Sequence, residues 1–161
     1  MQIAGLQEDI LALGVDRIIS SPMQRCRQTC EILFPDRKFE YDADLREIDF
    51  GSWEGLNFAE IVKKDPVLVD QWAEWSLEFC FPEGESIGSF VDRVKNLGNR
   101  ISQLHDKKIL VVCHGGVARA LLCHYLGLGA ENYLLFQLEK GKFSSVDLYD
   151  GLGVLTGLNL G

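Results

Sequence analysis

The 161-residue chain is short of basic residues: 16 Lys and Arg stand against 24 Asp and Glu, a formal charge of −8. That imbalance excludes a general binder of the nucleic-acid backbone, whose affinity rests on cations neutralising phosphates. It leaves a small phosphorylated ligand open, because a few cations in a pocket outweigh a diffuse surface charge screened within about 8–10 Å. Apolar runs of membrane-spanning length are absent, and residues 1–14 lack the basic flank and long apolar stretch of a secretion signal. Five cysteines include no Cys-x-x-Cys pair and no Cys/His spacing of a metal site. The expectation is a protein with reduced thiols in the cytoplasm, without metal or cofactor and without a membrane partner. Internal repeats and low-complexity segments are missing too.

What is present is ordinary for a globular chain: 47 % hydrophobic and 25 % charged residues, enough for one domain with a sizeable core. Ile3, Leu6, Ile10 and Leu13 share a helical face that Gly14 stops. Strands are expected at Arg17 to Ser20 and in KFEYD, with a helix in QRCRQTCEIL between them. Short helices follow near Phe58 to Lys64 and Val67 to Trp75. From Ser86, an N-cap, a long amphipathic helix carries Ile87, Phe90, Val91, Val94, Leu97, Ile101 and Leu104. A strand–glycine–helix unit fills 109–126. β-type segments come last at Tyr133 to Leu138, Ser145 to Tyr149 and Val154 to Leu158, with Asp150-Gly151 as a hairpin turn. This alternation predicts an α/β fold, a three-layer αβα sandwich with a mostly parallel sheet and an antiparallel C-terminal edge.

Three stretches carry chemistry. In SSPMQRCRQT a strand runs into a helix whose first turn holds Arg25, where a bidentate guanidinium joins the positive helix end; Arg25 and Arg27 read alone are solvated helix charges. LREIDFGSWEGL is irregular and acidic, and offers Glu47, Asp49 and Glu54 as general acids; read plainly, it is a solvated loop with Trp53 over the core. In ILVVCHGGVARALL, His114 sits at the carboxyl end of a strand facing a helix start, followed by Gly115 and Gly116. His105, at the end of the long helix, reads as a favourable charge and His124 as packing. Trp53, Trp72, Trp75 and Phe81 read as packing rather than as a pocket lining.

With FPEGES between the second and third of these stretches, the four motifs in this order resemble the histidine phosphatase superfamily, also called phosphoglycerate-mutase-like, in its α-ribazole phosphatase and broad-specificity branch. The resemblance implies a phosphoric monoester hydrolase of a small phosphorylated substrate, working through a phosphohistidine. It assigns Arg25, His114 and the amide of Gly115 to the phosphate and Glu47 to protonation of the leaving group. The family's nucleophile belongs to an Arg-His-Gly motif closing a first strand, and no Arg-His-Gly occurs in the 161 residues. Met1 therefore reads as an internal methionine of a truncated or decayed enzyme, one domain without its first strand. The chain as given is expected to be inactive, with a homodimer as one way of filling the gap. Two other functions remain. One is a non-catalytic module binding a phosphorylated ligand or a partner. The other is a cysteine phosphatase, since Cys113 to Arg119 also satisfies Cys-x5-Arg, with Cys113 as thiolate nucleophile, Arg119 on the oxyanion and Asp49 as acid.

Overall fold

A computed structural model describes residues 6–161. Its helices are α1 (Leu6–Ala12), α2 (Gln24–Leu33), α3 (Phe58–Lys64), α4 (Pro66–Ala73), α5 (Ile87–Ser102) and α6 (Gly115–Tyr125). Its strands are β1 (Arg17–Ser20), β2 (Glu40–Tyr41), β3 (Ile109–Val112), β4 (Phe143–Tyr149) and β5 (Leu152–Leu160). The chain divides into two compact units, residues 1–47 with 94–161, and residues 48–93.

In the larger unit the parallel strands lie in the order β2-β1-β3. Ser20 aligns with Tyr41 on one side and with Val112 on the other, so all three strands stop at the same level. The ladder runs one step further on each side: Ser21 N–H donates to the Val112 carbonyl at 2.9 Å and Asp42 N–H to the Ser20 carbonyl at 3.1 Å. Three loops therefore leave one end of the sheet side by side. Leu6 and Ile10 of α1 pack with Val15, Ile18, Cys30, Leu33 and Phe34 into a core under this sheet, with Leu110, Val112 and Phe143 against it. Arg17 ties the other end, its Nε 2.7 Å from Asp106 and its terminal nitrogen 2.6 Å from Glu40.

The fold is α/β, as the alternation predicts, and the antiparallel strands β4 and β5 form a two-stranded sheet of their own. Asp150 and Gly151 both take positive φ, 48° and 87°, the backbone a two-residue hairpin turn demands. Leu122, Cys123 and Phe136 make a second core cluster, packed by Val146 and Leu155 of this hairpin. The segment expected as β-type at Tyr133 to Leu138 is a correction: Ala130–Leu135 forms a 3₁₀ helix. Asn132 closes that turn, its N–H on the Gly129 carbonyl at 3.0 Å and its side-chain amide on the same oxygen at 3.3 Å. This short-range closure wins over a strand propensity that finds no partner strand among the described residues. KFEYD keeps only a two-residue strand, exposed at the sheet edge. Ile3 lies outside the described residues. Gly14 stops α1 with φ 64°.

The smaller unit is built on rings. Trp53, 2 % exposed, stands edge-on to Trp72 and Phe81, and Phe79 and Phe50 join Phe81 in T-shaped pairs. These aromatics pack, as the sequence suggests. α3 opens with a capping box between Asn57 and Glu60, and α4 with Pro66 in its first turn. Gly51 sits at φ 54° against the Pro82–Gly84 backbone, which leaves no room for a Cβ. Ser86 caps α5 as expected, its hydroxyl accepting from Ser89 N–H at 3.0 Å. Arg93 grips Glu85 through Nε at 2.6 Å and a terminal nitrogen at 2.8 Å. No helix among the described residues is long and apolar enough to cross a membrane.

Candidate phosphate site

Each of the three loops leaving the sheet delivers one group. After β1, Ser21-Pro22-Met23 turns into α2 and puts Arg25 in its first turn. After β3, Cys113 and His114 lead directly into α6. After β2, a 3₁₀ turn over Ala43–Leu45 brings Glu47 in. Asp42 caps that turn through the Asp44 N–H at 2.9 Å, and Leu45, 0 % exposed, anchors it. This end of a parallel sheet is where ligands bind in open α/β folds.

Arg25 and His114, 89 residues apart, touch: the guanidinium Nε–H donates to imidazole Nδ1 at 2.8 Å. His114 is buried at 7 % exposure, and its Nε2 lies 2.9 Å from the Ser21 hydroxyl oxygen. Arg25 is exposed and makes no ion pair among the described residues. Its terminal nitrogens are thus available as a fork for an anion. Gly115 is the first residue of α6, and the helix itself makes no use of its N–H. The side chain of His114, the N-cap, caps nothing.

Glu47 occupies the next position round the same helix end. Its Oε2 accepts from Gly116 N–H at 3.1 Å, a carboxylate on the positive end of α6. A Cβ on Gly116 would collide with that carboxyl group and lie 3.0 Å from the Tyr133 hydroxyl. Glycine is required here for close approach. Tyr133 is pushed up, first by desolvation and then by the Glu47 charge.

The structure thus brings Arg25, His114, Gly115 and Glu47 to one end of one sheet. Asp49 and Glu54 belong to the smaller unit and close local turns, Asp49 on Gly51 N–H at 2.8 Å and Glu54 on Phe50 N–H at 3.3 Å. The Cys-x5-Arg alternative is corrected by two observations. Arg119 is turned away from a phosphate loop: its Nε donates to the Phe136 carbonyl at 2.8 Å and its guanidinium lies over the Tyr133 ring. Cys113 keeps some accessible surface, but packing round its sulfur desolvates a thiolate and pushes the thiol up to about 12. Nucleophilic cysteines are shifted the other way. Ser21, Cys26 and Tyr133 are the neighbours that sequence reasoning passes over. Ser21 carries a signal only as half of a turn dipeptide. Cys26, its sulfur 3.6 Å from His114 Nε2, carries none, and Tyr133 reads as strand. Burial pushes the Cys26 thiol up to about 11, against the pull of the Arg25 cation.

A family model described as histidine phosphatase superfamily (branch 1) matches residues 1–161. The chain belongs to that superfamily. Among curated relatives, the adenosylcobalamin/alpha-ribazole phosphatase of Escherichia coli K12 is 27 % identical over 163 residues, covering 98 % of this chain and 79 % of the relative. Phosphoserine phosphatase 1 of Hydrogenobacter thermophilus is 27 % identical over 158 residues, covering 96 % and 75 %. The crystal structure of the alpha-ribazole phosphatase from Shigella flexneri superposes with a TM-score of 0.89 at 25 % identity, over 99 % of this chain and 82 % of that one. The chain therefore has the histidine phosphatase fold, with Arg25, Glu47 and His114 on the segments that follow the three strands of its parallel sheet.

Proposed function

We propose that this site takes the phosphoryl group of a small phosphate monoester, in the service of the phosphatase chemistry of its superfamily. Arg25 grips two oxygens with its terminal nitrogens, held in place by its Nε contact with His114, and the Gly115 N–H adds the helix-end field. Glu47, on the Gly116 amide at the same helix end, is placed where the superfamily's chemistry calls for an acid to protonate the leaving oxygen. The observation that carries the reading is the 2.8 Å contact of Arg25 with His114 at the shared strand ends.

The names of the relatives make α-ribazole-5′-phosphate the first substrate to try. Of the three histidines, His105 is exposed beyond α5, and His124 packs against Gly98 near the other end of α6. The 161 residues carry no Arg-His-Gly. The proposal is accordingly that residues 1–161, by themselves and as one domain, bind the ester without turning it over. Free thiols at all five cysteines support a reducing, cytoplasmic setting.

The test is a titration with inorganic phosphate, followed by a turnover assay on p-nitrophenyl phosphate. Expected are phosphate binding that Arg25→Ala and His114→Ala remove and Cys113→Ser leaves intact, together with no turnover. Phosphate binding that survives both Arg25→Ala and His114→Ala overturns the site. Turnover by the purified 161-residue chain overturns the inactivity and leaves the site standing.

A further inference from the structure

We propose that Ser21 is a positioning residue of this site, its buried hydroxyl oxygen holding the proton of His114 on Nε2 and so aiming the guanidinium of Arg25. The proposal rests on the phosphate reading above and adds a residue to it.

The assignment follows from counting donors. A guanidinium has no acceptor, so the 2.8 Å contact makes Arg25 Nε–H the donor and leaves His114 Nδ1 bare. A neutral imidazole with a bare Nδ1 carries its proton on Nε2. The Ser21 oxygen, 2.9 Å from Nε2, must then accept. It also accepts from Met23 N–H at 3.3 Å, which fixes it at the turn into α2. Ser21 is 0 % exposed, so water does not compete for this oxygen.

The chain Ser21–His114–Arg25 is closed at both ends of the ring. Serine at 21 is tied to the sheet through its N–H on the Val112 carbonyl at 2.9 Å. The imidazole transmits that fixed point to Arg25 Nε, and a guanidinium held at Nε presents its two terminal nitrogens outward as a preorganised fork. Loss of the serine oxygen leaves a buried Nε2–H without its acceptor and the ring free to turn. The Cys26 sulfur, 3.6 Å from Nε2, is a weak acceptor.

Proton and nitrogen-15 NMR of the histidine-labelled 161-residue chain at about pH 8, where an ordinary imidazole is neutral, reads this directly. The expected wild-type signature is a slowly exchanging Nε2–H of His114 beside a bare Nδ1. Ser21→Ala removes the protected proton and weakens inorganic phosphate binding by on the order of tenfold. Ser21→Thr, which keeps the oxygen, retains both. Ser20→Ala, at an equally buried serine whose hydroxyl donates to the Ser21 carbonyl, also retains both. A wild-type proton on Nδ1 overturns the proposal, as does a Ser21→Ala chain with protected Nε2–H and unchanged phosphate affinity. If Ser21→Ala fails to fold, the wild-type and Ser21→Thr spectra still decide. If wild-type protein binds no phosphate, the function proposed above falls while the Nε2–H comparison still judges Ser21.

Discussion

The starts of α3 and α6 solve the same problem in opposite ways. Both expose helix N–H groups that need acceptors. α3 closes on itself: Asn57 accepts from Glu60 N–H at 3.1 Å and Glu60 from Asn57 N–H at 2.8 Å, three residues apart. α6 begins behind a histidine whose side chain caps nothing, and its second N–H is met by Glu47, 69 residues earlier in the chain. α2 likewise begins behind Met23 without a side-chain cap. A local cap stabilises a helix and does nothing else. A helix start closed from a distance gathers a carboxylate, an imidazole and a guanidinium at one point, and that gathering is what a phosphate site requires.

The comparison is broken most strongly at Arg25. Arg25→Ala removes charge-assisted donors and is expected to weaken inorganic phosphate binding by roughly 10–100-fold in a calorimetric titration. Retained affinity would show that α2 and α6 do not share a ligand. Next comes Gly116→Ala, whose methyl group displaces Glu47 and crowds Tyr133. It is expected to cost about 1–3 kcal/mol in urea unfolding, and an unchanged midpoint would remove the close approach of Glu47 from the account. Asn57→Ala sharpens the other half: a loss of about 1 kcal/mol, with phosphate binding untouched. If phosphate affinity fell with it, the two helix starts would not be independent.

The smallest effect is expected from the thiols. Cys26 and Cys113 stand at about 11 and about 12 in the folded protein, above the ordinary thiol value of 9.0. The unfolded chain loses these protons first, so their contribution is fully present below pH 9.0 and is lost as pH rises towards 11 and 12. Urea midpoints should therefore fall between pH 9 and 11, less so in Cys113→Ser. In native protein at lower pH, alkylation should begin at the exposed Cys80. Early modification of Cys26 would contradict its burial.

Much of the frame was readable as letters. β1, α2, α3 and β3 follow from period and punctuation, and α5 from its apolar stripe with Ser86 in front. The 150–151 turn follows from Asp-Gly. Tyr133 to Leu138 reads as strand because aromatic preference measures fit to a partner strand, and here the chain closes into a turn between Gly129 and Asn132 instead. Arg25, Glu47 and His114 could be nominated from motifs, but Ser21 and Tyr133 could not, because nothing local distinguishes a serine that receives an imidazole proton from one that merely turns the chain.

Sequence alone settled what depends on near neighbours: which segments coil, where they stop, which faces are apolar, and which superfamily the motifs resemble. Tertiary structure decided everything that depends on register between strands. Ser20 level with Val112 and Tyr41 is what brings residues 21, 25, 47 and 114 to one end of the sheet, while Arg119 donates to the Phe136 carbonyl and burial pushes the Cys113 thiol up. The reason is geometric: a hydrogen bond reaches about 3 Å, and only the folded chain brings residues 89 positions apart within that reach.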